Sequence, residues 1–178
     1  GEISDEMLNE ILETIHPADV PTDIVNQILL MDSDSIDFYA AYQDFYWQIP
    51  KETLFELVVR DDVPEIVHTL ILKALSESYY FPAQYVDVND NPYYRPRICY
   101  SDIPKGTVFE TIIDNFDSDR SPLGSRVFLV GLMAEINSGD ISQSDLPQPV
   151  LDEMENYANH DAFEPEELTV GLLENIAR

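Results

Sequence analysis

The sequence predicts an all-α fold: an irregular helical bundle or a short HEAT-like array of helix pairs, with a Tyr/Pro-rich non-helical insertion near residues 79–102. Three observations predict it. Apolar residues recur at i, i+3, i+4 and i+7 over most of the chain, the period of one helix face. A polar cap or a first-turn proline precedes many of these runs, as at a helix start. Asp-x-Pro recurs at 19–21, 62–64, 102–104 and 145–147, at spacings of 43, 40 and 43 residues, each time just before an apolar run. That period is in the range of two-helix repeats, where each pair buries its apolar face on its neighbours. The tripeptide is also a general way to begin a helix. A second echo, IPKETLFELVV at 49–59 against IPKGTVFETII at 103–113, has an offset of 54 residues and does not share the period. The whole chain, 1–178, reads as a single acidic helical domain.

In order along the chain, SDEMLNEILETIH places Met7, Leu8, Ile11, Leu12 and Ile15 on one helix face. Ser4 is its expected N-cap, Asp5 and Glu6 suit the positive end of the helix dipole, and Pro17 stops it. DVPTDIVNQILLM follows with Ile24, Val25, Ile28 and Leu29 at helical spacing. DSIDFYAAYQDFYWQI reads as one aromatic-rich helix, with Ile36, Tyr39, Phe45 and Ile49 among its apolar positions, ending at Pro50. DDVPEIVHTLILKALSESYY is the clearest helix: Asp62 can cap it, Pro64 fits the first turn, and Val67, Leu70, Ile71, Ala74 and Leu75 form the buried stripe. KGTVFETIIDNF is ambiguous, because Thr107, Val108, Thr111, Ile112 and Ile113 also favour strands. SPLGSRVFLVGLMAEIN reads as a nearly all-apolar central helix, and PQPVLDEMENYA and EPEELTVGLLENIA as two closing helices.

The insertion is different in kind. Residues 79–100 hold six of the ten tyrosines and three prolines, Pro82, Pro92 and Pro96. QYVDV and RICY are expected there as short strands joined through NDNP, whose residues favour turns. Tyr93, Tyr94 and Arg95 are candidate recognition residues, since tyrosine and arginine serve often as interface anchors. Against this stands a plain structural use, in which the tyrosines cover the core where helix regularity lapses.

Charge narrows the function. The chain has 35 acidic and 9 basic residues, a formal net charge of −26, and residues 1–50 contain no Lys or Arg. Direct binding to nucleic acid or to an anionic membrane needs a basic face, so both are disfavoured. Hydrophobic content of 44% still supplies a core, unlike that of charged disordered chains. One cysteine, Cys99, excludes an internal disulfide and a multi-cysteine metal site. No run approaches the roughly 20 apolar residues of a membrane span, and a cytoplasmic protein is expected.

The residues offer little to catalysis. DVNDN at 87–91 fails as a calcium loop: Pro92 stands where glycine is needed and Ile98 where glutamate is needed. His16, His68 and His160 are scattered, and no phosphate loop or nucleophile elbow is present. No catalytic residue, metal or cofactor is expected, and no enzymatic activity. The expected function is that of an acidic binding or inhibitory protein that neutralises a basic nucleic-acid-binding protein or nuclease, as a DNA mimic or an immunity or antitoxin-type protein does. Partner-binding residues are then Asp5, Glu6, Glu10, Glu13, Asp19, Asp23, Asp32, Asp34 and Asp37, with Asp152, Glu153, Glu155, Glu164, Glu166 and Glu167 near the other end. The alternative is a helical-repeat adaptor that binds a protein subunit or peptide. Salt adaptation would also explain the charge, and says nothing of the task performed.

Overall fold

A computed structural model describes residues 1–76, 78–80, 94–96 and 98–159. The fold is all-α and irregular. Among the described residues are eight α-helices: α1 (Asp5–Thr14), α2 (Thr22–Leu29), α3 (Tyr39–Trp47), α4 (Lys51–Val58), α5 (Glu65–Ser76), α6 (Thr107–Asp114), α7 (Pro122–Ser138) and α8 (Gln148–Asn159). The chain divides into two compact units, Gly1–Ile71 and Leu72–Arg178, and each is described by itself.

In the first unit α1 packs on α2 and α3, and α2 packs on α4. Ser4 caps α1 as expected, its hydroxyl accepting the Met7 N–H. Leu8 and Leu12 are buried on its inner face, whereas Met7 and Ile15 at the edges of the stripe stay exposed. Val25, Ile28, Phe45, Ile49, Leu54 and Leu57 complete the core. Each such side chain contributes about 1.5–3 kcal/mol through burial. The segment read as a single helix from 34 to 49 is two pieces. Ser33–Ser35 form a 3-10 turn, Ile36 and Phe38 are extended with a bend at Asp37 between them, and α3 begins only at Tyr39. The cause is a distant side chain, Asn9, described below. Asp62, expected to cap α5, has its carboxylate engaged by Arg60 and by Asn26.

In the second unit Phe128 on α7 is fully buried, with the rings of Tyr100, Phe109 and Phe116 at 5.6, 6.0 and 5.7 Å from its own. Two contacts need glycine. A Cβ on Gly124 would lie 1.8 Å from the Leu72 carbonyl oxygen, and one on Gly131 would lie 2.4 Å from the Tyr100 ring. The ambiguous segment at 105–116 is helical, as α6, with Phe109, Ile112 and Ile113 buried at 3.6-residue spacing. Ser121 caps α7 through the Gly124 N–H, Pro122 occupies its first turn, and Gly139 ends it at a left-handed φ of 84°.

The insertion contains a two-stranded antiparallel ribbon, Ser78–Tyr80 (β1) with Tyr94–Pro96 (β2), in the register Tyr79 to Arg95. RICY is therefore not the strand. Ile98 is buried and its N–H goes to the Ala74 carbonyl near the end of α5, and Tyr100–Asp102 wind into a 3-10 turn closed by the Cys99 N–H on the Asp102 carboxylate. The expected strand QYVDV and the last expected helix, EPEELTVGLLENIA, lie outside the described residues.

Asp-x-Pro has a physical meaning in three of its four places. At 17–19, 100–102 and 143–145 a 3-10 turn ends on the aspartate, the next aliphatic residue (Val20, Ile103, Leu146) is buried, and proline leads into the next helix. Its intervals hold unequal contents: three helices, then among the described residues one helix and the ribbon, then two helices. The spacing marks a shared way of entering a helix, not a repeated helix pair.

Candidate binding surface

The first unit carries sixteen acidic residues and two basic ones, Lys51 and Arg60, and every one of the sixteen carboxylates is on an exposed residue. Asp5, Glu6, Glu10 and Glu13 line α1; Asp19 ends a 3-10 turn; Asp32, Asp34 and Asp37 lie in the entry to α3. Helix geometry puts Glu6, Glu10 and Glu13 on one face.

Asp23 differs from its neighbours, because it is already used. Arg60 Nη1 donates to Asp23, and the same guanidinium holds Asp62 through Nε at 2.8 Å and Nη2 at 3.1 Å. Asn26, almost fully buried, donates to the second Asp62 oxygen at 3.1 Å. The hydrogen bond from Arg60 is the main cause that holds the Asp62 carboxyl below the usual aspartate range. This clamp ties the first turn of α2 to the turn before α5, beside a concavity of about 570 Å³ lined by Ile3, Asn26, Gln27 and Leu30. One of the unit's two cations is thus spent on a pair of its own acids.

Asn9 does the same for the α3 entry with neutral bonds. It is buried on α1, its Nδ2 donates to the carbonyls of Asp5 at 3.0 Å and Ser35 at 2.7 Å, and its Oδ1 accepts the Asp37 N–H at 3.1 Å. The 33–37 loop is therefore held in one shape. Directly after it, Phe38 and Tyr39 are 60% and 62% exposed, the largest exposures among the big apolar side chains described. The Tyr39 ring stacks on Tyr42 at 6.3 Å, and the ring series continues to Tyr46 at 5.5 Å and Trp47 at 5.5 Å. Sequence reasoning missed both the aromatic pair and its staple. An asparagine on the apolar side of α1, between Leu8 and Leu12, was the available signal.

In the second unit Asp152, Glu153 and Glu155 lie on α8; Asp152 and Glu155 are exposed and Glu153 is half-buried. Asp152 accepts a bond from Gln148 at 2.8 Å. Tyr93, Glu164, Glu166 and Glu167 lie outside the described residues, and Tyr94 and Arg95 are described only as backbone of the ribbon. Tyr100, from the tyrosine-rich stretch, has a structural place: its hydroxyl donates to Glu135, which also holds Lys105 at 2.7 Å, and Lys105 lies 3.9 Å from the Phe109 ring centre. Burial first, then the bond to Glu135, raises the Tyr100 phenol above its ordinary value.

Among the described residues no cluster of three or more His, Cys, Asp or Glu could hold a metal ion. His16 caps a 3-10 turn, its Nδ1 accepting the Ala18 N–H at 3.1 Å. No described helix is long and apolar enough to cross a membrane. No family model, curated protein or solved structure matches the chain.

Proposed function

We propose that this protein is an acidic binding protein that occupies a basic, nucleic-acid-binding partner, either a DNA- or RNA-binding protein or a nuclease, by presenting carboxylates where that partner expects phosphates. The observation that supports this reading is the first unit: sixteen exposed acidic residues against two cations, one of which is neutralised by Asp23 and Asp62. A helix surface selected for solubility alone usually mixes signs to gain i,i+4 pairs. Here α1 carries four acids and no base. Duplex DNA carries one charge per roughly 1.7 Å of axis, so carboxylates on a rigid helical frame can imitate part of that array and steer association.

The test is capture from a nuclease-treated lysate of the source cells at about 0.1 M salt, followed by elution with duplex DNA. Screening lengths fall from roughly 10 Å to 3 Å between 0.1 M and 1 M salt, so a charge-held partner is also released by about 1 M salt. A basic nucleic-acid-binding protein displaced by DNA supports the reading. A partner that resists both DNA and salt and is neither a nuclease nor a nucleic-acid-binding protein refutes it and favours an adaptor that binds by apolar contact.

A further inference from the structure

We infer that the α3 entry, Asp32 to Tyr39, is the anchor of that interface and that it reads arginine: guanidinium groups of the basic partner stack on Phe38 and Tyr39 while Asp34 and Asp37 take their N–H donors. The inference rests on the basic-partner reading above and adds to it a place and a side-chain chemistry.

Four observations converge on this segment. Phe38 and Tyr39 are the most exposed large apolar side chains described, and they are adjacent. They follow three exposed aspartates in the sequence, Asp32, Asp34 and Asp37, in a stretch of fifty residues without a single Lys or Arg. The loop is preorganised, because buried Asn9 holds both the Ser35 carbonyl and the Asp37 N–H. Tyr39 is in turn stacked on Tyr42, which is buried. Rigid aromatic groups bind with little loss of rotamer freedom, and preorganisation lowers the ordering cost of an interface.

Charge complementarity selects the occupant. A second copy of this chain would bring another first unit with sixteen acids and two bases, and nucleic acid or an anionic membrane would be repelled. Exposed aromatic rings on a segment rich in exposed carboxylates suit a planar cation. Arginine fits it better than lysine: its guanidinium is weakly hydrated, stacks flat on rings, and offers a fork of donors to a carboxylate. Lysine would gain the Coulomb attraction and little of the stacking.

Two labelled peptides of equal length and equal charge, one built on arginine and one on lysine, test this with the full chain at about 0.1 M salt, read by fluorescence anisotropy. The arginine peptide is expected to bind about tenfold more tightly. The Phe38→Ala/Tyr39→Ala variant is expected to lose that tenfold preference while changing lysine-peptide binding less than about twofold. Both side chains are exposed, so the variant keeps its core; circular dichroism and a urea melt verify that. Equal affinity of the wild type for the two peptides, or a preference that survives the double variant, overturns the anchor. In that case weakening of both peptides by reversing Glu6, Glu10 and Glu13 leaves the basic-partner reading standing. Absence of binding by either peptide removes both.

Discussion

Removing the Asn9 side chain amide is expected to cost the first unit about 2–3 kcal/mol. Asn9 is 6% exposed and makes three hydrogen bonds, of which the two to Ser35 and Asp37 join α1 to the α3 entry across 26 and 28 residues of sequence. The third, to Asp5, stays within the helix and matters less. A neutral hydrogen bond contributes about 0.5–1.5 kcal/mol net, and a partner left unpaired away from water adds about 1–3 kcal/mol. The Ser35 and Asp37 groups are only part-buried, so water recovers some of that loss and the low end of the second range applies. Trp47, the sole tryptophan, lies in α3 of the same unit and reports its unfolding by fluorescence. Urea melts of Asn9→Ala should show a lower midpoint with an unchanged slope. Asn9→Asp should be at least as harmful, since it keeps the acceptor for Asp37 but turns a carboxylate toward two carbonyls. A loss under about 0.5 kcal/mol in both variants would refute the staple and with it the claim that the Phe38–Tyr39 platform is preorganised.

Four further outcomes are expected. Gly124→Ala should destabilise the second unit by about 3 kcal/mol in a thermal melt, because the clash is with the Leu72 backbone and no side chain can swing away. Tyr100→Phe should cost about 1–2 kcal/mol at neutral pH, as a hydrogen bond to a carboxylate is lost while Lys105 still holds Glu135. The phenols of Tyr100 and Tyr42 are raised above 10.0, mainly by burial, so their contribution is whole below that value and is lost as pH rises through the folded values; alkaline melts should show the wild type losing stability above about pH 10 and Tyr100→Phe losing less. Carbon-detected titration should place Asp62 below the usual aspartate range and return it toward that range in Arg60→Met. Its folded value is depressed, so the stabilisation is present at neutral pH and fades as pH falls through that lowered value.

Local patterns carried much of the fold and little of the candidate surface, for a reason visible in particular residues. Ser4 and the apolar stripes of α1, α2 and α5 act within a turn or two of sequence, so spacing alone reveals them. The α6 segment was ambiguous because its residues suit either state, and Gly106 settles how it begins: a φ of 101° turns the chain, so the helix starts at Thr107 and not directly after Pro104. The entry to α3 was unreadable because its shape is imposed from elsewhere. Tyr42, Phe45 and Ile49 are buried at i, i+3 and i+7, and Phe38 stands four residues before Tyr42, where an unbroken helix would have carried it on the same stripe. A stripe drawn back from Tyr42 would therefore bury Phe38, whereas the positions expected from the sequence were Ile36, Tyr39, Phe45 and Ile49. Asn9 instead pins the preceding loop, the helix begins at Tyr39, and Phe38 remains extended and exposed. An exposed aromatic pair that local pattern would bury, held out by a buried polar side chain, conflicts with the hydrophobic logic of the rest of the unit. Such local conflicts are expected at functional or strained sites, which is why the proposed anchor is placed here.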